Sequence, residues 1–501
     1  VLLSMFLALY IALAAGVARS AARGALARVI VLAALWMLGE WLRGWVLSGF
    51  AWNPLGAAWL AAPGIAQLAR FGGALSLSGL MILAGGGLWL ALRPGSVAAV
   101  RLAGGALIGL VAIGAALGSG LVRDYYYPDS ATVLLVQPNI GQDVKYDPGA
   151  EEAHLRTYLE LTTTALAAAS GGNDGGFGRS AEVDAAVAAI DFRNLAPDKA
   201  SVIGPAGANP GATVAPDAAA PPAAAKPATP AAPATAAPAT NEPTTSEALN
   251  AARPGALIVW SESSVPYAVE EEPGVRARLA AAIGPKDLLL FGGVAINRDS
   301  GGKVLSLTNS LFVLDAKGKI RGRYDKAHLV PLGEYVPARS MMTALGVARL
   351  APGDLDFKPG PGPQTLDLPG FGPVGVQICY EIIFPGAVID AGKRPAWIVN
   401  ISNDAWFGAS GPPQHLAQAR LRAIEEGLPV ARATPTGISA MIDAYGKVVA
   451  SETAGKVGVI SVALPPPLPA TLFARFGHQV TAIFGLLLLG LGFGIDRLRR
   501  R

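Results

Sequence analysis

No charged residue interrupts positions 1–18, 71–92 or 102–122, and apolar side chains dominate all three stretches. A fourth apolar stretch, 476–495, carries only His478, Gln479 and Thr481 as conspicuous polar groups. A fifth, 26–45, is less uniform, because Arg28, Glu40 and Arg43 fall near its ends. A spanning helix needs about 20 mostly apolar residues. The pattern therefore predicts five spans, four before position 123 and one at the chain end.

The intervening 123–474 reads differently. Short apolar runs at 131–137, 256–260, 288–291, 310–314, 374–378, 396–401 and 438–442 predict buried strands. Longer stretches at 151–169, 274–283 and 413–426 predict helices. Strands and helices mixed in this way indicate a layered α/β or α+β domain. Positions 170–253 break the pattern, being mostly Ala, Pro, Gly, Ser and Thr. Few of those side chains bury enough apolar surface to offset ordering entropy, so a disordered or polyproline-like insertion is expected there.

Composition agrees with a membrane protein. Of 501 residues 52% are hydrophobic and only 15% charged, with mean hydropathy +0.41. A soluble domain carries about 25% charged residues. The net charge of +4 leaves no broad basic surface, which argues against nucleic-acid binding. The single cysteine, Cys379, excludes an intrachain disulfide and a cysteine-rich metal site. His328 and His415 lack the spacing of a metal site, and neither a metal nor a cofactor is expected. The chain opens at Val1 inside an apolar run without a start methionine, so residues in front of it are expected.

Arginines set the orientation. Arg19, Arg23 and Arg28 lie between the first two spans, Arg93 and Arg101 between the third and fourth, and Arg497, Arg499, Arg500 and Arg501 close the chain. Alternating spans put all three groups on one side, expected to be cytoplasmic. The segment 123–474 then faces outward. Trp36, Trp41, Trp45, Trp52 and Trp59 read as an interfacial belt, or more sharply as a lipid-contacting surface near a site. Glu40 should face protein or water, with Arg43 as its natural partner.

Three clusters carry chemistry. Val259-Trp-Ser-Glu-Ser-Ser-Val-Pro266 places Glu262 just beyond a strand. Tyr324-Asp-Lys-Ala-His-Leu-Val-Pro-Leu-Gly-Glu-Tyr-Val-Pro337 holds Lys326 and Glu334. Val376-Gln-Ile-Cys-Tyr-Glu-Ile-Ile-Phe-Pro385 delivers Cys379 to a turn, followed by Tyr380 and Glu381. A free thiol has a pKa near 8.5 and needs a base to attack a carbonyl. A carboxylate supplies that base, and an ammonium with a backbone N–H stabilises the oxyanion. Glu262, Lys326 and Cys379 fit these roles. Singly, each has a plainer reading: a small buried hydrophobe at Cys379, a surface pair of Lys326 with Asp325, a surface carboxylate at Glu262.

Together the clusters resemble the nitrilase superfamily, whose members use a Glu-Lys-Cys triad in this chain order. A nitrilase-like domain facing outward between membrane helices resembles the apolipoprotein N-acyltransferases. Glu40-Trp-Leu-Arg-Gly-Trp45 with Gly49-Phe-Ala-Trp52, Gln137-Pro-Asn-Ile140, Cys379-Tyr-Glu381 and Asn400-Ile-Ser-Asn-Asp-Ala-Trp-Phe-Gly408 extend the likeness. The resemblance implies a polytopic α-helical membrane protein carrying an αββα sandwich at 123–474. The membrane part is 1–122, with four helices, and 475–501 is a C-terminal span and basic tail. About eight spans are implied, so roughly three are expected to be absent ahead of Val1.

The implied chemistry is acyl transfer in an inner-membrane, periplasm-facing enzyme. Cys379 takes an acyl chain from a phospholipid, with phosphatidylethanolamine the expected donor. The thioester passes it to the α-amine of diacylglyceryl-cysteine on an apolipoprotein. Glu262 is the implied base, while Lys326 and the Tyr380 N–H hold the oxyanion. Glu334 positions Lys326 or the amine, Tyr380 and Glu381 shape the site, and Tyr146 contacts lipid where the family often has Trp. Ser261 stands where Pro is common. The alternative is a membrane-tethered nitrilase-type amidase acting on a small amide; a third reading is a non-catalytic membrane scaffold. Arg420, Arg422 and Arg432 read first as a solvated helix face, and second as a phosphate site. Met341, Met342 and Leu345 suggest an apolar surface in the 338–360 loop.

Overall fold

The computed structural model describes residues 2–94, 97–123, 127, 130–145, 149–171, 255–340 and 356–498. The insertion reading at 170–253, Tyr146, and Met341, Met342 and Leu345 fall outside these, apart from the helical Ser170 and Gly171.

Five helices are long and apolar enough to cross a membrane. They are α1 (Leu2–Ala21), α2 (Ala25–Arg43), α3 (Ala69–Leu92), α4 (Ala98–Ser119) and, at the chain end, the helix His478–Leu498. Each matches a predicted stretch. Asp496 accepts the backbone N–H groups of Arg23 and Gly24, both at 2.8 Å, so the α1–α2 turn sits beside the end of the last helix. Two of the three arginine groups thus share one side, as alternation requires.

Helix α3 is broken near its start. Gly73 has φ +75°, and a Cβ there would lie 2.4 Å from the Phe473 ring, so only glycine fits. The break frees the Ala74 N–H, which donates to Glu425 at 2.6 Å.

Two six-stranded sheets form the rest. In chain order the strands are β1 (Thr132–Gln137), β2 (Ala256–Val259), β3 (Leu288–Arg298), β4 (Val304–Asp315), β5 (Ile320–Asp325), β6 (Thr365–Leu368), β7 (Gly372–Ile378), β8 (Trp397–Ile401), β9 (Val430–Ala433), β10 (Ala440–Ile442), β11 (Val448–Ser451) and β12 (Gly458–Ala463). The sheet orders are β12-β1-β2-β3-β4-β5 and β11-β10-β9-β8-β7-β6. Parallel pairs sit centrally in each: β1–β2–β3 and β7–β8–β9. Strands buried on both faces read as continuous apolar runs, as in Thr132–Gln137 and Ala256–Val259.

Leu135, Val259, Leu290, Val313, Val376 and Val399 pack between the sheets. The outer face of the first sheet is covered by α5 (Glu151–Gly171) and α6 (Pro273–Ala281), through Leu155, Leu161 and Leu279. The second sheet is covered by α7 (Gly411–Glu426), through Ala419 and Ala423. The last spanning helix is α8 (His478–Leu498). The layering is αββα, as expected.

Two local expectations need correcting. Glu40 and Arg43 do not form an ion pair: Glu40 Oε1 accepts from the Trp36 indole (3.0 Å) and the Leu55 N–H (2.8 Å), while Arg43 donates to the Trp52 carbonyl (3.0 Å). The loop after α2 folds back and supplies both with nearer partners. Arg422 and Arg432 are fully buried, not solvated. Arg422, on α7 between the sheet and a membrane helix, pairs with Glu425 at 2.5 Å; Arg432 is not on a helix at all but in the central strand β9, and pairs with Asp404 at 2.7 Å. Trp41 and Trp45 are exposed as a belt requires, but Trp52 is buried against Phe407 and His415.

Candidate active site

Parallel strands present their C-terminal ends on one side of each sheet, where loops carry functional groups. β2 leads to Glu262, β7 to Cys379, and β5 to Lys326. Glu262 sits in a tight turn that leans on Gly292 of β3. A Cβ at Gly292 would fall 2.5 Å from the Ser263 nitrogen and 2.7 Å from the Glu262 Cα. Gly292→Ala is therefore expected to push the Glu262 turn off β3. A loss of about 1–3 kcal/mol should appear as a lower thermal unfolding midpoint; an unchanged midpoint would show that this contact is slack.

The polar cluster is dense. Lys326 Nζ lies 3.2 Å from Glu262 Oε1 and 3.0 Å from Glu334 Oε1. Asn309, in β4, donates its amide to both carboxylates at 2.7 Å. Glu334 Oε2 accepts the Val330 N–H at 2.8 Å, which closes the loop around Lys326. Lys145 Nζ reaches the Glu262 carbonyl at 3.2 Å. Burial pushes the Glu262 carboxyl up, but Lys326, the Asn309 hydrogen bond and Lys145 outweigh it and hold it below the usual carboxylate range. Burial works against the Lys326 charge, yet Glu262 and Glu334 hold its ammonium above the ordinary lysine value. Burial pulls Lys145 down to about 8.

Cys379 stands at φ +52°, in the left-handed region a non-glycine residue rarely takes. Such strain costs on the order of 1–3 kcal/mol and persists only where surroundings impose it. Glu381 is one such restraint: its oxygens accept the Ile378 N–H (2.7 Å), the Tyr324 hydroxyl (2.7 Å) and the Ala327 N–H (2.7 Å). The thiol turn and the Lys326 loop are thus tied to one carboxylate. The thiol is 3% exposed, and its Sγ lies 3.9 Å from the Asn403 carbonyl. Burial, with Glu262 nearby, pushes it up to about 12, against the pull of Lys326. It rests as a neutral thiol beside an ionised carboxylate.

The turn also touches the membrane part. The Tyr380 hydroxyl donates to the Gly49 carbonyl (2.9 Å), and His328 Nε2 lies 2.7 Å from the Ser48 carbonyl. Phe384 stacks on His328 at 3.9 Å. Between this pair and the C-terminal end of α2 lies a cleft lined by Glu40, Trp41, Arg43, Trp45, His328 and Phe384 among others. The structure therefore gathers Glu262, Lys326, Glu334, Tyr380 and Glu381 around Cys379. Asn309 and Lys145 were not singled out from the sequence, since neither an Asn in an apolar strand nor a lone Lys is a distinctive signal.

An αββα sandwich carrying this carboxylate, lysine and cysteine at its strand ends defines a nitrilase-type domain. In keeping with that, the carbon-nitrogen hydrolase family matches residues 230–469. The apolipoprotein N-acyltransferase N-terminal domain matches residues 1–87. An apolipoprotein N-acyltransferase of Bradyrhizobium diazoefficiens is 32% identical over 91% of this chain and 71% of its own length. One of Caulobacter vibrioides is 33% identical over 96% of this chain and 76% of its own length. A crystallised amidase of Nesterenkonia sp. overlaps 42% of this chain and 77% of its own at TM-score 0.30 and 18% identity, which adds nothing to the topology above. The chain belongs to the apolipoprotein N-acyltransferase family.

Proposed function

We propose that the protein moves an acyl chain from a phospholipid to the N-terminal amine of diacylglyceryl-cysteine on apolipoproteins, at the periplasmic face of the bacterial inner membrane. The observation that carries this reading is the clamp between the Cys379 turn and the membrane loop, through Tyr380 to Gly49 and His328 to Ser48. A hydrolase of small soluble amides has no use for a nucleophile turn fastened to the loop that follows a membrane-length helix. The family membership supports the same reading.

In the first half-reaction Glu262 takes the proton from the Cys379 thiol as sulfur attacks the ester carbonyl of phosphatidylethanolamine. Lys326 and the Tyr380 N–H stabilise the oxyanion. The C–O bond to glycerol breaks, Glu262 returns the proton to the leaving oxygen, and a thioester and a lysophospholipid result. In the second, the acceptor amine attacks the thioester and Glu262 takes the amine proton. The C–S bond breaks, and the thiolate regains its proton. Glu334 and Asn309 keep Lys326 and Glu262 in register throughout.

Incubation with phosphatidylethanolamine vesicles should add one acyl chain to the intact mass of the protein. Neutral hydroxylamine should remove it, and a diacylglyceryl-cysteine lipopeptide should discharge it. Absence of the adduct, together with hydrolysis of a small amide such as propionamide, would replace this reading with the tethered amidase.

A further inference from the structure

His415 is fully buried, contacts no group of the Glu262–Lys326 cluster, and yet touches the nucleophile's own backbone. Its Nε2 lies 3.1 Å from the Cys379 carbonyl oxygen, and its Nδ1 lies 2.9 Å from Asp404 Oδ1. Both partners are acceptors, so donation to both at once requires the imidazolium. Burial and Arg432 oppose that charge and hold the pKa below the ordinary histidine value, while Asp404 and the Cys379 carbonyl favour it. Asp404 is held in turn: Arg432 donates to both of its oxygens at 2.7 Å, and Ser402 donates to Oδ1 at 3.0 Å. Arg432 is further anchored on Asn400 of β8. Trp52 and Phe407 close over the ring. The imidazole therefore has one orientation, fixed from behind by the second sheet.

The carbonyl it grips matters because of what shares its plane. The Cys379 C=O and the Tyr380 N–H belong to one rigid peptide unit and point in opposite directions. Holding the oxygen fixes where the N–H points. A donor on the oxygen also polarises the amide and strengthens its N–H as a donor. The left-handed φ of Cys379 leaves this plane in a position the chain would not keep unaided.

We propose that His415 is a positioning residue for the oxyanion: by donating to the Cys379 carbonyl it aims the Tyr380 N–H at the developing charge. This rests on the acyl-transfer reading above. Side-chain length separates the two contacts. In His415→Gln the amide nitrogen sits near the place of Nε2 and keeps the donor to Cys379. In His415→Asn it sits near the place of Nδ1, so the Asp404 contact survives and the Cys379 contact is lost.

The test measures two rates on the full-length chain in detergent: single-turnover acylation by phosphatidylethanolamine vesicles, and alkylation of Cys379 by iodoacetamide. Alkylation displaces iodide and forms no oxyanion, so it reports thiol placement alone. For His415→Asn, acylation should fall about 10²-fold while alkylation stays within about twofold of wild type, the loss expected for a spoiled oxyanion donor. For His415→Gln, acylation should stay within about tenfold. Undiminished acylation in His415→Asn overturns the proposal, as does a parallel fall in both rates, which would mark a merely structural role. Where His415→Asn does not fold, His415→Gln decides: loss of acylation as great as about 10²-fold overturns it. Wild-type protein that acquires no acyl chain at all would instead defeat the acyl-transfer reading.

Discussion

Cys379→Ala is expected to abolish the acyl adduct and to cut acyl transfer by on the order of 10⁴-fold or more, while leaving the fold nearly untouched. Removal of a covalent nucleophile leaves only binding and oxyanion stabilisation to act on a reaction that has lost its first step. The fold should tolerate the change for three reasons read from the turn. Alanine keeps the Cβ and meets the same left-handed φ of 52°. The lost Sγ is small and its polar contacts, with Ser402 and at 3.9 Å with the Asn403 carbonyl, are weak. The restraints on the turn come from Glu381 and the backbone, not from the thiol. Intact mass after incubation with phosphatidylethanolamine vesicles, alongside a thermal unfolding midpoint, checks both halves. An adduct persisting in Cys379→Ala would place the acyl group on another residue and remove Cys379 from the mechanism.

Lys326→Met should be nearly as damaging, and for a different reason. Methionine approximates the volume but removes the ammonium that Glu262 and Glu334 share at hydrogen-bond distance. Breaking a buried pair from one side costs about 3–5 kcal/mol, since the partners remain charged and buried. The same loss changes the base. In the wild type, Lys326 and its neighbours hold Glu262 below the usual carboxylate range against burial. Its ionised form is therefore present through the neutral range, and activity should fall only at acid pH. Without Lys326 burial prevails, the Glu262 pKa rises, and the acid limb of acylation moves to higher pH. The oxyanion also loses a donor, a further fall on the order of 10²–10³-fold. The pH profile of single-turnover acylation checks this. A variant that acylates within about tenfold of wild type, with an unmoved acid limb, would assign Lys326 to structure alone.

The parts of this protein that were legible in the sequence are those whose neighbours lie close in the chain. Four of the five apolar spans and the central strands β1, β2 and β3 announce themselves as hydrophobic runs, whereas the central strand β9, Val430–Ala433, carries Arg432 and was not predicted. Edge strands such as β5 and β6 did not stand out: Ile320–Asp325 alternates charged residues with Ile320, Gly322 and Tyr324 and has no apolar run, and its pairing with β4 is seen only in the fold. Glu262, Lys326 and Cys379 were recognisable through their local strings, but nothing in those strings announced Asn309. Its importance comes from β4 passing between two carboxylates. Arg422 and Arg432 were misread for the same reason in reverse. Arg422 on α7 reads as solvated until the surface that covers it is known, and Arg432 belongs to the buried strand β9 rather than to a helix. Glu40 and Arg43 show the limit of the one-turn rule, since a returning loop offered each a closer partner than the other.

Helix α7 joins three of these features in a row. His415 near its start grips Cys379, Arg422 donates to the Ile383 carbonyl at 3.0 Å, and Glu425 near its end receives Ala74 at the break in α3. At 1.5 Å per residue the ten steps from His415 to Glu425 span about 15 Å of rigid rod. One end is fastened to a spanning helix and the other to the Cys379 backbone carbonyl. The rod fixes the distance between the break in α3 and the Cys379 turn. Inserting or deleting a turn of α7 should therefore shift the Cys379 turn relative to α3 without replacing any side chain of the Glu262–Lys326 cluster.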